Sequence, residues 1–440
     1  MNYTEAVQFH ENTKKYGSIL GLTSIRALMH ELGDVWKELN IVHIAGTNGK
    51  GSVCCFLASV LREAGYLTGQ FNSPEVFDLR EVYQIGGEWI EKEEYASCME
   101  EVVAACEKMT QKGFSHPTVF EVETALAFLW FFRRKCDIVL LETGMGGETD
   151  ATNLIEQPLC SVFASISLDH MDFLGDSIEK IAEVKAGIIK ENCPVVTVKQ
   201  QQEAEQILWQ KAKESHAAYH IAPAITESKI NDGQLTFIYP DLGEVKLSMT
   251  GSYQTENASL AIKTLQILEK CGYSVTKTQM LKGMEKAKWN GRFESLSNSP
   301  LFYIDGAHNT AAAEELKVSL LRYFPNLKRI GIMGVMEDKP YREMIHILKP
   351  VFEEIYTVTP GNKRSLSAEI LAEEWRLQGV RAIAKECVQD AVKAAYDAAE
   401  TGGEDAMVIA FGSLYYLKEV KCALYEIERN RSSYGRENTQ

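Results

Sequence analysis

Short, wholly apolar runs alternate with stretches of helical period along most of this chain. Residues 41–45, 137–142, 160–167 and 194–198 read as strands, and residues 53–64, 118–132 and 177–190 as helices. Strands without polar alternation are those covered on both faces, so the pattern predicts a mostly parallel sheet flanked by helices. Residues 219–246 differ. They are rich in Ile, Thr, Phe and Tyr, carry turn residues at 231–233 and 240–241, and predict a small antiparallel excursion before a helix at 256–269. Residues 292–300 turn to Ser, Asn and Pro and read as a linker. The alternation then restarts, with strands at 301–304, 329–335, 354–358 and 406–411 and helices at 311–321, 341–348, 367–378 and 388–399. The tail 429–440 is polar and is expected to fray. The expected fold class is therefore α/β. Residues 1–296 would form a larger amino-terminal domain on a mostly parallel sheet, and residues 297–440 a smaller, Rossmann-like carboxyl-terminal domain.

Composition narrows the functional classes. At 440 residues, 45% of them hydrophobic, the chain suits two or three domains with substantial cores. A formal charge of −15 argues against nucleic acid as a partner, which needs a basic footprint, but leaves room for a small anionic substrate. Ten cysteines are scattered without a C-x-x-C pair and read as buried free thiols of a reducing cytoplasm. The amino terminus lacks a signal-peptide pattern, and the apolar run 125–132 is too short to span a bilayer. A soluble cytoplasmic protein, with no membrane partner, is expected.

The chemistry concentrates at strand ends. Gly46-Thr47-Asn48-Gly49-Lys50-Gly51-Ser52 follows a strand and opens a helix. Glycines there let backbone N–H groups approach phosphate oxygens, the helix adds the positive end of its dipole, and Lys50 and Ser52 suit the β/γ-phosphates and Mg²⁺. The run departs from the strict Walker pattern, since only Thr47 and Asn48 separate Gly46 from Gly49. Its plain alternative is a glycine-rich turn with an incidental lysine. Glu142, closing a strand before Gly144-Met145-Gly146-Gly147, reads equally as a magnesium ligand or as a structural cap. Asp169-His170 alone favours an ordinary hydrogen-bonded turn, and Lys185 alone a solvated helix lysine. Asp305-Gly306-Ala307-His308-Asn309 ends the first strand of the second domain. Arg292, near the linker, suits a phosphate clamp or a bare surface position.

Taken in order, these runs resemble the Mur ligase superfamily, and within it the folylpolyglutamate synthase branch that often also carries dihydrofolate synthase activity. The resemblance rests on HIAGTNGKGS at 43–52, FNSP at 71–74, ETGMGGETDATN at 142–153 and SLDHMDFLGDSIEKIAEVKAGIIK at 167–190. It continues with GSYQTENASLA at 251–261, WNGRFE at 289–294, DGAHN at 305–309, GVMEDKP at 334–340 and FGSLYYL at 411–417. It implies an ATP-dependent ligase of one-carbon metabolism, with residues 1–296 as the P-loop ATP-binding domain and residues 297–440 as the glutamate-ligase domain. A folate carboxylate would be phosphorylated to an acyl phosphate, and L-glutamate would displace the phosphate. The acceptor would be a reduced folate, dihydropteroate, or both; dihydrofolate synthase activity alone and another Mur-type amino-acid ligase are the alternatives.

The resemblance also implies residue roles. Thr47, Asn48, Gly49, Lys50, Gly51, Ser52, Asn257, Arg292, Asp305 and His308 would bind ATP. Ser52, Glu142, His170 and a carbamylated Lys185 would hold two Mg²⁺, with K⁺ as a further cofactor, and Lys50, Lys185, His170 and Glu142 would serve catalysis. Ser73, Pro74, Asp150, Thr152 and Ser413 would face the substrates, and the enzyme would be a monomer. Two departures stand out: Glu148 where relatives carry arginine, and the 75–82 loop, where Glu75 follows Ser73-Pro74 and Leu79-Arg80-Glu81-Val82 replaces N-E-R. Two rivals are weighed. A peptidoglycan-precursor ligase would normally place a further domain before the phosphate loop. A P-loop kinase or switch would lack the second-domain motifs.

Overall fold

A computed structural model describes residues 1–17, 19, 21–231, 233–401 and 405–437. The chain forms two compact units. The first takes Met1–Ser228, Thr236–Ser248 and Gln254–Ala287; the second takes Lys229–Leu235, Met249–Tyr253 and Lys288–Gln440.

An eight-stranded sheet organises the first unit. Its spatial order is Glu88–Trp89, Tyr83–Ile85, Thr68–Phe71, Ile138–Glu142, Ile41–Ala45, Cys160–Phe163, Val195–Thr197, Tyr219–Ile221. Thr68–Phe71 and the five strands that follow it run parallel, and the two at the first edge are antiparallel. All five residues of Ile41–Ala45 and of Ile138–Glu142 are buried, as the apolar runs required. Helix Lys50–Glu63 covers the sheet, burying Val53, Phe56, Leu57, Val60 and Leu61. Helix Val119–Arg133 is apolar all round because it is enclosed, and Thr118 caps it in a reciprocal box with Glu121.

The second unit holds a six-stranded sheet in the order Glu294–Asn298, Leu301–Ile304, Ala406–Phe411, Lys328–Met333, Glu354–Thr357, Arg381–Ala384. The first pair is antiparallel and the remainder parallel. Met333, Ile409, Phe411, Trp375 and Leu316 belong to its core.

Several expectations are corrected. The supposed linker contains the strand Glu294–Asn298, hydrogen-bonded to Leu301–Ile304. Its small polar residues suit an edge strand, so composition alone misled. Tyr219–Ile221 pairs parallel with Val195–Thr197 in the main sheet. The separate three-stranded sheet therefore starts only at Ser228, and Asp232 of the expected 231–233 turn lies outside the described residues. The strand expected at 160–167 ends at Phe163, and the chain beyond it turns to the phosphate loop. The tail forms helix Leu417–Glu437, with 438–440 outside the described residues. Helices Tyr3–Thr13, Thr23–Glu31, Lys92–Gln111, Gln202–Glu214 and Lys277–Lys286 carry no counterpart in the pattern reading. Seven cysteines are buried as expected, but Cys271, Cys387 and Cys422 are exposed. No helix among the described residues is long and apolar enough to cross a membrane.

His43, inside strand Ile41–Ala45, is fully enclosed, and its Nε2 lies 2.8 Å from Thr152 Oγ1. Burial, and secondarily the charge of Lys190, lower its pKa from 6.5 to about 3. The folded state therefore holds His43 neutral where the unfolded chain binds a proton. Stability falls as pH drops from 6.5 toward 3, by up to about 1.4 kcal/mol per pH unit. In urea unfolding between pH 6.5 and 4.5, His43→Asn should lose less stability than the native chain. Equal losses in the two proteins would refute this.

Candidate active site

The phosphate loop is held by the chain that follows the neighbouring strand. Thr47 N and Asn48 N donate to Ser165 O at 2.7 and 3.3 Å. Thr47 Oγ1 donates to Ser167 O at 2.9 Å and accepts from Ser167 N at 3.0 Å. Gln200 braces the same stretch from the far side. Its Oε1 accepts from Ile166 N at 3.0 Å, and its Nε2 donates to Ala164 O at 2.9 Å. The backbone N–H groups of Thr47 and Asn48 are thus committed inside the protein. The donors left to an anion begin at Gly49, where the amino-terminal end of helix Lys50–Glu63 supplies them. Gly49 has φ +92°, and a Cβ there would strike the side-chain carbonyl of Asn257. Gly46 has φ +151°, and a Cβ there would come within 2.9 Å of Ala164 Cβ. Both positions need glycine for conformation and for space.

Lys50 curls back over the loop. Its Nζ lies 3.2 Å from Gly46 O and 3.7 Å from Glu142 Oε1. Glu142 is buried, and its other oxygen accepts from Asn72 Nδ2 at 2.6 Å. Asn72 in turn accepts from Gln70 Nε2 at 2.5 Å. Lys185, from helix Ile178–Ala186, is 4% exposed and donates to the same Gly46 carbonyl at 2.9 Å. Burial first, and the like charge of Lys50 second, lower its pKa to about 7. An ordinary helix lysine on the pattern reading is therefore an enclosed amine beside the phosphate loop.

Ser52 is buried and its hydroxyl accepts from Gln254 Nε2 at 3.2 Å; Asn257 Nδ2 donates to Gln254 Oε1 at 3.1 Å. Gln254 and Asn72 were missed by sequence reasoning. Gln254 lies one helical turn before Asn257, on the same face of helix Gln254–Lys270, and that spacing could have found it.

The glycine turn after Glu142 packs backbone to backbone against the helix of Lys185. A Cβ at Gly147 would meet Lys185 O at 2.7 Å, and Glu148 N donates to Val184 O at 2.8 Å. Asp150 is buried within this turn. It accepts from Met145 N at 2.7 Å and from the hydroxyl and N–H of Thr152 at 2.5 and 3.0 Å. Asp150 and Thr152 thus shape the turn, while Glu148 points to solvent. His170 is exposed, at φ +51°, opening the short helix Met171–Leu174.

A magnesium ion takes hard oxygen donors and usually keeps several waters, with one or two carboxylates and substrate phosphates. Ser52 and Glu142 are donors of that kind. Among the described residues no cluster of three or more His, Cys, Asp or Glu could hold an ion by itself. The protein thus offers a partial donor set that nucleotide phosphates would complete, and His170 is not gathered with Glu142 into such a cluster.

In the acceptor loop, Ser73 is half-buried and Pro74 exposed. Arg80 is clamped on Asp78 through bonds of 3.1 and 3.2 Å, and Glu81 accepts from the N–H groups of Val76 and Phe77.

In the second unit, Asp305 is buried, and burial raises its pKa. Its Oδ2 accepts from Tyr253 Oη at 2.7 Å and Phe293 N at 2.8 Å; its Oδ1 accepts from Ala307 N at 2.8 Å. Those bonds pin the turn that carries Arg292. His308 Nδ1 lies 2.8 Å from Gly306 O, so this nitrogen carries the proton. Asn309 caps helix Thr310–Tyr323, and Ser413 Oγ accepts from Tyr415 N at 3.2 Å.

Comparison with known proteins agrees with these motifs. Residues 44–265 match the Mur ligase middle domain, and residues 291–414 the Mur ligase glutamate ligase domain. The chain is 34% identical to the dihydrofolate synthase/folylpolyglutamate synthase of Bacillus subtilis, over 95% of this chain and 98% of that protein. It is 30% identical to the folylpolyglutamate synthase of Lacticaseibacillus casei, over 96% of this chain and 99% of that one. The crystal structure of Mycobacterium tuberculosis folylpolyglutamate synthase complexed with ADP and AMPPCP superposes with a TM-score of 0.87 at 27% identity, covering 97% of this chain and 99% of that one.

Proposed function

The chain belongs to the Mur ligase family, in the branch of the dihydrofolate and folylpolyglutamate synthases, and on that basis we propose that it is an ATP-dependent ligase joining L-glutamate to a folate-type carboxylate. The observation that carries the reading is the phosphate loop, with Lys50 and the buried Lys185 both directed at the Gly46 carbonyl. A carboxylate is a poor acylating agent, and phosphorylation gives it a leaving group. An oxygen of the acceptor carboxylate bonds to the γ-phosphorus while ADP departs with the electrons of the broken P–O bond. The neutral amine of glutamate then attacks the acyl carbon, phosphate leaves, and the nitrogen sheds a proton.

Lys50, Ser52 and the N–H groups from Gly49 to Ser52 bind and orient the phosphates and offset their charge. Mg²⁺, held through Ser52 and Glu142, would supply further neutralisation of phosphate charge. Asn257 and Gln254 hold Ser52 in place. Arg292 and His308 are assigned to the nucleotide, and Ser73, Pro74 and Ser413 to the substrates. Asp305, Asp150 and Thr152 act by fixing the turns around them. The same reading takes the enzyme as a cytoplasmic monomer using two Mg²⁺ and K⁺.

Lys185 is assigned as a carbamate. An amine with a pKa of about 7 is largely uncharged above that pH and can add CO₂, losing a proton. The carbamate nitrogen keeps one N–H for Gly46 O and gains an anionic oxygen.

The defining experiment is glutamate-dependent ADP release with dihydropteroate or tetrahydrofolate as acceptor, products identified by mass. Glutamate incorporation into either supports the reading, and none into both overturns it. Lys50→Ala should stay folded and lose turnover by roughly 10²–10³-fold; near-native turnover would remove Lys50 from the phosphate site. Lys185→Ala should be similarly impaired and partly restored by acetate or formate. Native activity should fall when bicarbonate is stripped below pH 7, where the ammonium form prevails. An active Lys185→Ala, or indifference to bicarbonate, would rule the carbamate out.

A further inference from the structure

Arg292 leaves the chain from a turn whose backbone is held on both sides. Gly291, at φ +71°, donates its N–H to Glu294 Oε2 at 2.7 Å, and its carbonyl accepts from Gly306 N at 2.8 Å. Phe293 N donates to Asp305 Oδ2 at 2.8 Å. Phe293 itself, at φ +48°, is a non-glycine residue in the left-handed region, a conformation that persists only where the surroundings over-determine it. Its buried ring packs on Tyr303 at 5.1 Å between centroids. The guanidinium lies over Gly306, where a Cβ would strike both its Nη1 and the side chain of Leu414.

Glu294 ties this turn to the carboxyl-terminal helix Leu417–Glu437. Its Oε1 accepts from Lys421 Nζ at 2.7 Å while Oε2 stays on Gly291 N. Both oxygens of the carboxylate nearest to Arg292 in sequence are therefore spent. Those of Asp305 are likewise taken, by Tyr253, Phe293 N and Ala307 N. The half-buried guanidinium forms no ion pair among the described residues, although a glutamate sits two positions along. A free carboxylate so close would pair with an arginine. Engagement of Glu294 elsewhere leaves the N–H donors of Arg292 to an anion from outside. Lys421 and Glu294 are 42% and 20% exposed, and a pair so placed adds little to stability. Its effect is on where the carboxylate, and with it the turn, is held.

Building on the assignment of Arg292 to the nucleotide, we propose that Glu294 and Lys421 are positioning residues for that arginine: the carboxylate fixes the Gly291 end of the turn, and the lysine keeps the carboxylate off the guanidinium. Loss of Glu294 frees the turn to relax. Loss of Lys421 lets Glu294 swing onto Arg292 and neutralise it. Both changes weaken nucleotide binding through Arg292, without either residue touching the nucleotide.

The test is calorimetric binding of AMPPCP with Mg²⁺, which needs no acceptor and so does not depend on the acceptor being a folate. Removing a charge-assisted hydrogen bond predicts a Kd raised roughly 10-fold in Glu294→Ala and in Lys421→Met. Glu294→Gln, which keeps an acceptor for Gly291 N–H, should stay closer to the native value. Lys421→Met serves if Glu294→Ala does not fold. In an Arg292→Ala background neither substitution should weaken binding further, since the residue they position is gone. A purely structural role would cost the same in both backgrounds. Native affinity in either single variant, or full additivity with Arg292→Ala, overturns the proposal. Native affinity in Arg292→Ala removes the arginine from the nucleotide, and the positioning role falls with it. The ligase reading is judged separately, on glutamate incorporation.

Discussion

One carbonyl oxygen, that of Gly46, receives two lysine side chains: Lys50 at 3.2 Å and Lys185 at 2.9 Å. Much of the first unit's active region follows from that convergence. Two ammonium groups in a desolvated site repel each other, and the protein relieves the strain by drawing Glu142 to Lys50 and weakening the hold of Lys185 on its proton. The loop is thus pre-set for a partner carrying several negative charges. The geometry tolerates no extra atom at Gly46, Gly49 or Gly147, since a Cβ there would strike Ala164, the Asn257 side chain and the Lys185 backbone in turn.

How much of this could be read along the chain depends on how local each feature is. The phosphate loop is a contiguous strand, turn and helix, so its glycines, lysine and serine are legible in a seven-residue window. The commitment of the Thr47 and Asn48 N–H groups to Ser165 was not, because it depends on the segment beyond strand Cys160–Phe163, more than a hundred residues away. Lys185 illustrates the same limit. Its sequence neighbours suit an ordinary amphipathic helix, and only the folded chain shows the residue buried, with its amine on the Gly46 carbonyl and its backbone packed against Gly147. Resemblance to a family supplied that residue where periodicity did not. The edge strand Glu294–Asn298 was misread because Ser and Asn serve both loops and exposed strands. Tyr219–Ile221 was misplaced because strand direction is a property of the sheet, not of the segment.

In the second unit the most conspicuous motif residues spend their hydrogen bonds on one another. Asp305 gathers Tyr253, Phe293 and Ala307, Asn309 caps a helix, and Ser413 caps a turn. A buried carboxylate with three donors is a rigid node. It fixes the backbone from which Arg292 projects, where Phe293 itself sits at φ +48°. A motif can therefore mark the scaffold of a site as readily as its contacts. Asp150 makes the same point in the first unit, where its oxygens are consumed in closing the turn after Glu142.

The distribution of thiols gives the molecule a built-in set of reporters. Cys271 is exposed in the first unit, and Cys387 and Cys422 in the second, while the other seven cysteines are enclosed. Mild maleimide chemistry would discriminate by access, reaching those three and sparing the rest. Removing one of the two in the second unit leaves a donor–acceptor dye pair with one label on each unit. Fluorescence transfer between them then measures the separation of the units through a catalytic cycle, in a chain whose interior needs no redesign.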